Sequence, residues 1–444
     1  MRSLVLATSA VLVSACGSDY NNNPDASTGP DAPNAVQPRV IAGGGIGDGP
    51  ITGVVNLYVI DDITRQPISG ATVRVGTVDG TTDSTGLFIA QGVTGPQTVV
   101  ASSPSYRAEV WVGVAGANVT IDLQPATAAT IAHANLSGTI TGFSALPALP
   151  ANHLRIGVVQ YSQNDAAPDA VNNLATAGQT NICTQATTDC AFTITTRTGD
   201  VALVAGIYDL DTKGTQTGTD DTLAFLGWAI KTGMNVQSGV NQTGVALTMV
   251  QPSDLDIETV DFGSPPSGLT TTSGLIGIET TTDGVIQLPA FVSAASNQAA
   301  VPKLSGFPGA TYRLTGFASN GSTTAAAGSV VLRRGLTGAT LSAGTWLAAP
   351  TNATATRTTA SWTPVSGAVA HSVAWSTTST SFLNITVFDS TSSVTIPDLV
   401  ALPAAGALTA SVQAIGAQID VTNFSLDADR AKLTNAASQG VAVP

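Results

Sequence analysis

The sequence predicts an all-β protein built from several tandem β-sandwich domains. β-branched residues alternate with small polar residues through most of the chain, which is the period-2 pattern of strands. Turn-forming residues recur between these stretches, and the chain contains 45 glycines and 23 prolines. No segment of helical periodicity is long enough to compete with the strand pattern. At 444 residues, the chain has room for three or four domains.

The charge of the chain excludes one class of partner. Charged residues make up only 10% of the sequence, and the formal net charge is -13. Nucleic-acid phosphates would be repelled by this acidic balance, so no nucleic-acid partner is expected. On an exported protein the same balance is compatible with divalent cations or simply with solubility.

Residues 1–15 have the layout of a secretory signal peptide. Arg2 supplies a positive charge, residues 4–13 form an apolar run, and the small residues Ser14 and Ala15 precede Cys16. The apolar run is too short to cross a bilayer, which takes about 20 apolar residues. We therefore predict a cleaved leader and not a transmembrane helix.

The ending Val13-Ser14-Ala15-Cys16 resembles the lipobox of bacterial lipoproteins. The resemblance implies cleavage before Cys16, a lipid on that cysteine, and attachment of the protein to a membrane through the lipid. Many members retained at the inner membrane carry Asp directly after the cysteine, whereas this chain has Gly17. The resemblance therefore implies an outer-membrane lipoprotein of the cell envelope, with a soluble secreted form as the alternative.

Residues 16–49 are predicted to be a disordered linker that begins with the lipidated Cys16. The segment is rich in Asn, Asp, Pro and Gly and ends in the glycine-rich stretch 43–49. Such a composition buries too little apolar surface to offset the entropy of the chain. A coil of about 30 residues would reach roughly 30 Å. Order is expected to begin near Ile51.

Residues 50–125 carry turn and strand signals in a regular order. Pro67 and Gly70 predict a turn before the alternating stretch 71–75. The residues Asp83-Ser84-Thr85-Gly86 are typical of a turn, and an apolar strand follows them. These motifs resemble the carboxypeptidase regulatory-like family, whose members are transthyretin-like β-sandwiches on exported proteins. The resemblance implies a non-catalytic accessory module.

The two middle segments, 127–252 and 253–345, read as β-rich domains without a family resemblance. In the first, alternating stretches predict a sandwich with these strands: 134–141, 155–161, 191–196, 201–208, 224–230 and 245–250. In the second, the predicted strands are 274–278, 284–288, 311–315 and 328–333.

Residues 346–444 are predicted to be a further β-sandwich. The stretch 359–375, with Trp362 and Trp375, resembles the B and C strands of fibronectin type III domains, and 408–414 resembles the F strand. Two residues depart from the pattern of that family. His371 stands where a Tyr is common, and Leu408 stands at the position of the tyrosine corner.

Cys183 and Cys190 are predicted to form a disulfide. With Cys16 assigned to lipid, they are the remaining pair of the three cysteines, in a compartment that permits disulfides. A loop this short removes little entropy from the unfolded chain, on the order of 2 to 3 kcal/mol at best. A metal site is disfavoured because no His or further Cys lies nearby in sequence.

One acidic loop has the ligand types that Ca²⁺ prefers. Asp209 and Asp211, with Gly214 and then Asp220 and Asp221, copy the spacing of an EF-hand loop. Lys213 places a cation where an oxygen ligand is expected, and no helices flank the loop. The alternative is a polar hairpin loop between strands 201–208 and 224–230, without metal. No other cofactor is predicted.

Catalytic signatures are not evident in the sequence. A Gly-x-Ser-x-Gly elbow and a His-Glu-x-x-His motif are both missing, and the three histidines, His133, His153 and His371, read as structural. A second acidic run, 254–258, reads as the solvated face of a strand. We predict that the tryptophans are core residues. The prediction is weakest for Trp111, for which stacking on a sugar is the alternative.

The sequence therefore predicts a non-catalytic cell-envelope lipoprotein that presents β-sandwich modules for structural, adhesive or ligand-binding roles. The alternative is a glycan-binding or enzyme-accessory protein with a polysaccharide or envelope-protein partner. A hydrolase built from two distant carboxylates is a third hypothesis, because such pairs converge only in space.

Overall fold

The computed structural model confirms the all-β prediction. It describes residues 36–126, 132–143, 146–163, 182–185, 189–215, 221–322, 326–378, 380–404 and 406–444, with the side chains of 182–185, 289 and 290 left out. The described part of the chain contains thirty strands and one four-residue α-helix. Within that part, no helix is long and apolar enough to cross a membrane.

The first module packs two sheets face to face around an apolar core that includes Leu57, Val73 and Ile121. Its strands are β1 (Gly45–Gly47), β2 (Thr52–Asp61), β3 (Thr72–Val75), β4 (Val78–Thr81), β5 (Leu87–Thr94), β6 (Gln97–Ser102), β7 (Ala108–Val114) and β8 (Asn118–Leu123). The predicted turn before β5 is confirmed. Asp83 Oδ1 accepts hydrogen bonds from the amides of Thr85 at 2.8 Å and Leu87 at 3.0 Å.

The prediction that order begins near Ile51 was wrong for residues 36–50. Ile46 is fully buried and Ile41 is 4% exposed, and β1 pairs antiparallel with β8. The glycine run that suggested a spacer is needed for close packing. A Cβ on Gly45 would lie 2.1 Å from the carbonyl oxygen of Phe424. We call residues 36–47 the N-terminal segment.

The second module is a seven-stranded sheet in the order β11-β10-β13-β14-β15-β9-β12. Its strands are β9 (His133–Thr141), β10 (His153–Tyr161), β11 (Ile182–Gln185), β12 (Cys190–Arg197), β13 (Gly199–Asp211), β14 (Thr222–Val236) and β15 (Gln242–Met249). The long antiparallel β13–β14 hairpin confirms the strand pair predicted around the acidic loop. Leu136, Phe192 and Ile207 are among its buried core residues.

The third module contains all four strands that the sequence predicted for it. It consists of β16 (Leu255–Asp261), β17 (Thr271–Glu279), β18 (Val285–Ser293), β19 (Gln298–Pro302), β20 (Thr311–Ser319), β21 (Ala327–Leu336) and β22 (Thr340–Ser342), with 3-10 turns at Pro252–Asp254 and Leu304–Gly306. The acidic run does form a strand, but its face assignment was wrong at one residue. Glu258 is only 4% exposed, whereas Ile257 is 59% exposed.

The last module packs a three-stranded sheet against a four-stranded one. It consists of β23 (Thr351–Ala355), β24 (Thr359–Thr363), β25 (Ala370–Ser376), β26 (Ser381–Val387), β27 (Ser393–Thr395), β28 (Leu408–Ala417), β29 (Phe424–Ser425), the helix α1 (Leu426–Asp429), a 3-10 turn at Arg430–Lys432, and β30 (Leu433–Val443). Trp362 and Trp375 are buried between its sheets, as predicted.

Strand pairing runs across the predicted domain boundaries. One twelve-stranded sheet has the order β18-β17-β20-β21-β30-β28-β25-β26-β7-β6-β3-β4. In it, β30 joins β21 of the third module to β28 of the last, and β7 of the first module pairs in parallel with β26. Three modules therefore share backbone hydrogen bonds. The division into independently folding domains stays a prediction.

The second and third modules are joined through side chains and through one backbone bridge, in which Gln163 and Val285 exchange hydrogen bonds of 2.8 and 2.7 Å. Trp228 of β14 is fully buried in the core of the third module, and its indole Nε1 donates to the carbonyl oxygen of Ala300 at 2.9 Å. Arg197 is also buried and donates to the carbonyl oxygens of Asp200 at 2.7 Å and Asp283 at 3.0 Å. These contacts satisfy polar groups that burial would otherwise leave unpaired.

Candidate functional site

The residue predicted to carry the lipid, Cys16, lies outside the described residues, which begin at Val36. Lipidation of Cys16, the signal peptide and the outer-membrane location therefore stay predictions. Residue 36 is where the described chain enters the first module.

The predicted disulfide is described at one end only. Cys190 begins β12 and is fully buried. Cys183 lies in β11, where its backbone is opposite Gly157 of β10, but its side chain lies outside the described residues. The pairing of these two cysteines stays a prediction.

Two of the four predicted calcium ligands are bound to cationic or basic side chains. Asp209 Oδ1 lies 2.7 Å from His153 Nδ1, and Asp211 Oδ2 lies 3.6 Å from His153 Nε2. The ammonium of Lys213 also pairs with Asp211, and this contact holds the pKa of the Asp211 carboxyl below its usual range. Lys213, whose charge does not fit a calcium-binding loop in the sequence, therefore pairs with a carboxylate of that loop in the structure.

The other two predicted ligands are incompletely placed. Asp220 lies outside the described residues, and Asp221 Oδ1 is buried without a hydrogen-bond partner. Among the residues that are described, no group of three or more His, Cys, Asp or Glu side chains could hold a metal ion. A site that includes Asp220 stays a prediction.

Thermal unfolding with calcium and with a chelator tests this prediction. A bound ion would stabilise the folded chain by mass action, by about 2.7 kcal/mol at a calcium concentration about 100 times the dissociation constant. Asp211→Asn would remove the effect, while Asp256→Asn, an exposed carboxylate in another module, would keep it. Superimposable curves with and without the ion would contradict a calcium site.

The tryptophans lie in the core. Trp111 is 5% exposed and contacts the rings of Phe388 at 5.5 Å and Phe424 at 6.2 Å, measured between centroids. It therefore packs the first module against the last and offers no stacking surface to a sugar. Of the histidines, His371 is buried, and its Nε2 accepts a hydrogen bond from the amide of Val365 at 3.1 Å.

A cluster of charged side chains that the sequence analysis missed lies where the first and last modules meet. We call Asp62, Asp122, Asp427 and Arg65 the carboxyl cluster. Arg65 Nη1 lies 3.3 Å from Asp62 Oδ1 and 4.0 Å from Asp122 Oδ2, and its Nη2 lies 3.4 Å from Asp427 Oδ1. The cluster thus joins three residues of the first module to α1 of the last.

Local turn chemistry positions Arg65 and Asp62. Asp61, at the end of β2, accepts hydrogen bonds from the amides of Ile63 at 2.8 Å and Thr64 at 2.7 Å. This Asx-type turn is completed by Arg65, whose φ of 58° is in the left-handed region. Asp122 comes from the neighbouring strand β8, which pairs in parallel with β2.

Two carboxyls of the cluster face the same nitrogen, since Arg65 Nη1 lies 3.3 Å from Asp62 Oδ1 and 4.0 Å from Asp122 Oδ2. Burial, followed by the nearby charges of Asp62 and Glu109, raises the pKa of Asp122 to about 8. Burial also raises the pKa of Asp62, although the guanidinium of Arg65 opposes the shift. At neutral pH this pair of carboxyls therefore keeps one proton.

A second buried carboxylate lies on the same seam. Glu109 of β7 is 4% exposed and accepts from Arg107 Nε at 2.8 Å and from Asn384 Nδ2 of β26 at 2.9 Å. Burial raises its pKa, and the Arg107 guanidinium opposes that shift. Because Asn384 belongs to the last module, this carboxylate is a polar contact across the β7–β26 pairing.

Two open hollows lie along the seam between the first and last modules. One, of about 520 Å³, contains the Arg39–Asp48 ion pair and faces Thr422 and Asn423. The other, of about 250 Å³, is lined largely by apolar and hydroxyl side chains, including Tyr106 and Phe382. The seam therefore contains both hollows as well as the carboxyl cluster.

Comparison with known proteins gives no family. No family model and no curated protein matches the chain. Among solved structures it is similar to the Bacillus anthracis TIE protein, at 10% identity over 60% of this chain and 44% of that one, with a TM-score of 0.14. The chain thus spans less than half of that protein's chain.

Two further solved structures are similar to the chain at equally low identity and TM-score. The tetra-tandem repeat in the extending region of a large adhesion protein is 12% identical over 88% of this chain and 100% of that one, with a TM-score of 0.12. Native E. coli alpha-2-macroglobulin is 10% identical over 88% of this chain and 28% of that one, with a TM-score of 0.14. At these TM-scores the similarities carry no argument about function.

Proposed function

We propose that this chain is a non-catalytic cell-envelope lipoprotein whose β-sandwich modules form one rigid scaffold, held at the outer membrane by a lipid on Cys16. The observation that carries the proposal is the twelve-stranded sheet, which includes strands of the first, third and last modules. Flexible strings of domains have linkers at their boundaries. Here two boundaries are crossed by backbone ladders instead, which favours a structural or presenting role.

The entry point of the chain supports the same role. The N-terminal segment lies in the seam between the first and last modules, because β1 pairs with β8 on one side and with β29 on the other. About 20 residues separate Cys16 from Val36, so the lipid would lie within roughly 70 Å of the seam. A membrane anchor attached there would hold the first and last modules at once.

The finer assignments of the modules belong to this proposal. The three-stranded and four-stranded sheets of the last module support a fibronectin type III-like sandwich. The Asp83 turn and the two facing sheets of the first module support a carboxypeptidase regulatory-like module. Both assignments agree with an exported accessory protein.

Mass spectrometry of the mature N-terminus tests the anchor. We expect cleavage before Cys16, a lipid mass on that residue, and recovery of the protein with outer membranes. Ser9→Ala, in the apolar part of the leader, should behave like the wild type, whereas Cys16→Ser should abolish lipid and membrane recovery. An unmodified Cys16 or an intact leader on the wild-type protein would refute the proposal.

A further inference from the structure

The N-terminal segment lies directly against the carboxyl cluster. A Cβ on Gly43 would be 2.1 Å from Asp427 Oδ1, and a Cβ on Gly44 would be 2.8 Å from Asp122 Oδ1. Only glycine leaves the backbone free to approach the carboxylates this closely. The seat of this segment is therefore made partly of the cluster itself.

Hydrogen bonds hold the N-terminal segment against residues 424–430 at the same place. The amide of Leu426 donates to the carbonyl oxygen of Gly44 at 2.8 Å, and Ser425 Oγ donates to that of Ala42 at 2.7 Å. Any rearrangement of Asp122 or Asp427 would therefore disturb both the N-terminal segment and the turn that contains α1.

We propose that the carboxyl cluster is a proton-operated latch. The proton shared by Asp62 and Asp122 holds the N-terminal segment and residues 424–430 against the first module, and loss of that proton loosens both. The latch is independent of the lipid on Cys16, so it does not depend on the proposed function.

The balance of charge at the cluster gives the physical reason. The groups that face the Asp62–Asp122 pair are the carboxylates of Asp427 and Glu109 and the guanidiniums of three arginines, Arg65, Arg107 and Arg430. Glu109 neutralises Arg107. With one proton on the pair, its remaining charge and that of Asp427 balance Arg65 and Arg430. Without the proton, one negative charge is in excess in a buried place, and the two carboxylates repel each other.

The direction of the pH effect follows from linkage. In the seated state the pKa of Asp122 is about 8, and Gly44 covers its Oδ1. Release removes this cover, so the pKa of Asp122 falls toward the ordinary value of an exposed Asp, about 3.9. Between these values the seated state binds the proton and the released state does not. Raising the pH therefore favours release, and the effect is complete once Asp122 is ionised in the seated state as well.

Release would break the strand pairs that the N-terminal segment makes and would leave the β7–β26 pair intact. The β1–β29 and β1–β8 pairs would be lost, because they involve the N-terminal segment. The parallel β7–β26 pair lies outside that segment and would keep the first and last modules joined. The latch thus controls how firmly the N-terminal segment is held, while the strand pairing between the modules is kept.

Hydrogen exchange measured by mass spectrometry on the purified full-length protein tests the latch. Exposure times are scaled to the intrinsic exchange rate at each pH, and peptides from β13 serve as an internal reference. Between about pH 6 and about pH 9 we expect the protection of residues 41–47 to fall at least roughly tenfold, while β13 keeps its protection.

The variant Asp122→Asn identifies the proton. Its amide stays uncharged over this range of pH, as the protonated carboxyl is at the lower end, so protection of residues 41–47 should become independent of pH. The matched variant Asp48→Asn, which alters the residue directly after the N-terminal segment and touches Arg39 and Asn118 but not the cluster, should keep the fall. If Asp122→Asn does not fold, Asp62→Asn removes the other half of the pair. The latch is overturned by a wild type without the fall, or by an equal fall in a folded Asp122→Asn or Asp62→Asn protein.

Discussion

Replacing Trp228 with alanine is expected to lower the free energy of unfolding by about 3 to 5 kcal/mol, the usual cost of removing a buried aromatic side chain. Trp228 belongs to β14 of the second module, yet it is fully buried in the core of the third. Its ring packs on Phe225 at a centroid distance of 4.6 Å, and its Nε1 donates to Ala300. Urea unfolding followed by circular dichroism gives the loss.

The variant Trp228→Phe separates the two contributions of this side chain. Phenylalanine keeps much of the apolar contact and removes the hydrogen bond to Ala300, which leaves that carbonyl unpaired at a cost of about 1 to 3 kcal/mol. We therefore expect a smaller loss than for alanine. A Trp228→Ala protein destabilised by less than about 1 kcal/mol would show that this residue does not join the two cores.

Replacing Ala437 with proline is expected to destabilise the third and last modules together, by on the order of 3 kcal/mol or more. Ala437 lies in β30, opposite Ser329 of β21 and Ala414 of β28. A proline there removes a donor from a strand that is paired on both sides, a position that proline avoids in sheets. Calorimetry combined with hydrogen exchange shows which modules are affected.

A second proline in the same strand is the matched control. Ala442 pairs with Thr409 of β28 and lies beyond the part of β30 that pairs with β21, which ends at Gln439. Ala442→Pro should therefore weaken the last module and leave the third unchanged. Normal protection of β21 in the Ala437→Pro protein would contradict the shared sheet.

Local patterns were sufficient to predict the strands and the fold class. The four strands predicted in the third module were all found, because alternation reports on a residue's immediate neighbours along the chain. The turn at Asp83 was predictable for the same reason, since its hydrogen bonds reach only to Thr85 and Leu87. The burial of Trp362 and Trp375 followed instead from the resemblance, since both match core positions of fibronectin type III domains.

Contacts between distant parts of the chain could not be predicted in this way. The glycines at 43–45 have the composition of a spacer, and their partners, Phe424 and Asp427, lie near the other end of the chain. Similarly, alternation placed residues 254–258 in a strand, but only the position of the neighbouring sheet decides that Glu258 faces inward and Ile257 outward. Strand pairing between modules leaves no periodic signal in either strand.

One residue of the carboxyl cluster was recognisable in the sequence as unusual for its strand. Asp122 interrupts the apolar strand Asn118–Leu123, where a carboxylate is costly unless it is paired or protonated. Its partners come from a turn and from a short helix far away in sequence, so the strand alone identifies an anomaly and not a site. For the acidic loop at Asp209, the spacing of the carboxylates predicted a metal site. In the structure, the neighbours of these carboxylates are His153 and Lys213.

We infer that strand pairing fuses the modules, so that they do not fold as a string of independent domains. The most direct test is to produce residues 346–444 alone and record their amide nuclear magnetic resonance spectrum. Without β7 and β21, both outer strands of the four-stranded sheet lose their partners, and Val100, Ala108 and Val110 are missing from the core. We predict a poorly dispersed spectrum without cooperative unfolding. A well-dispersed spectrum and a stability equal to that of the same module in the full chain would contradict the claim.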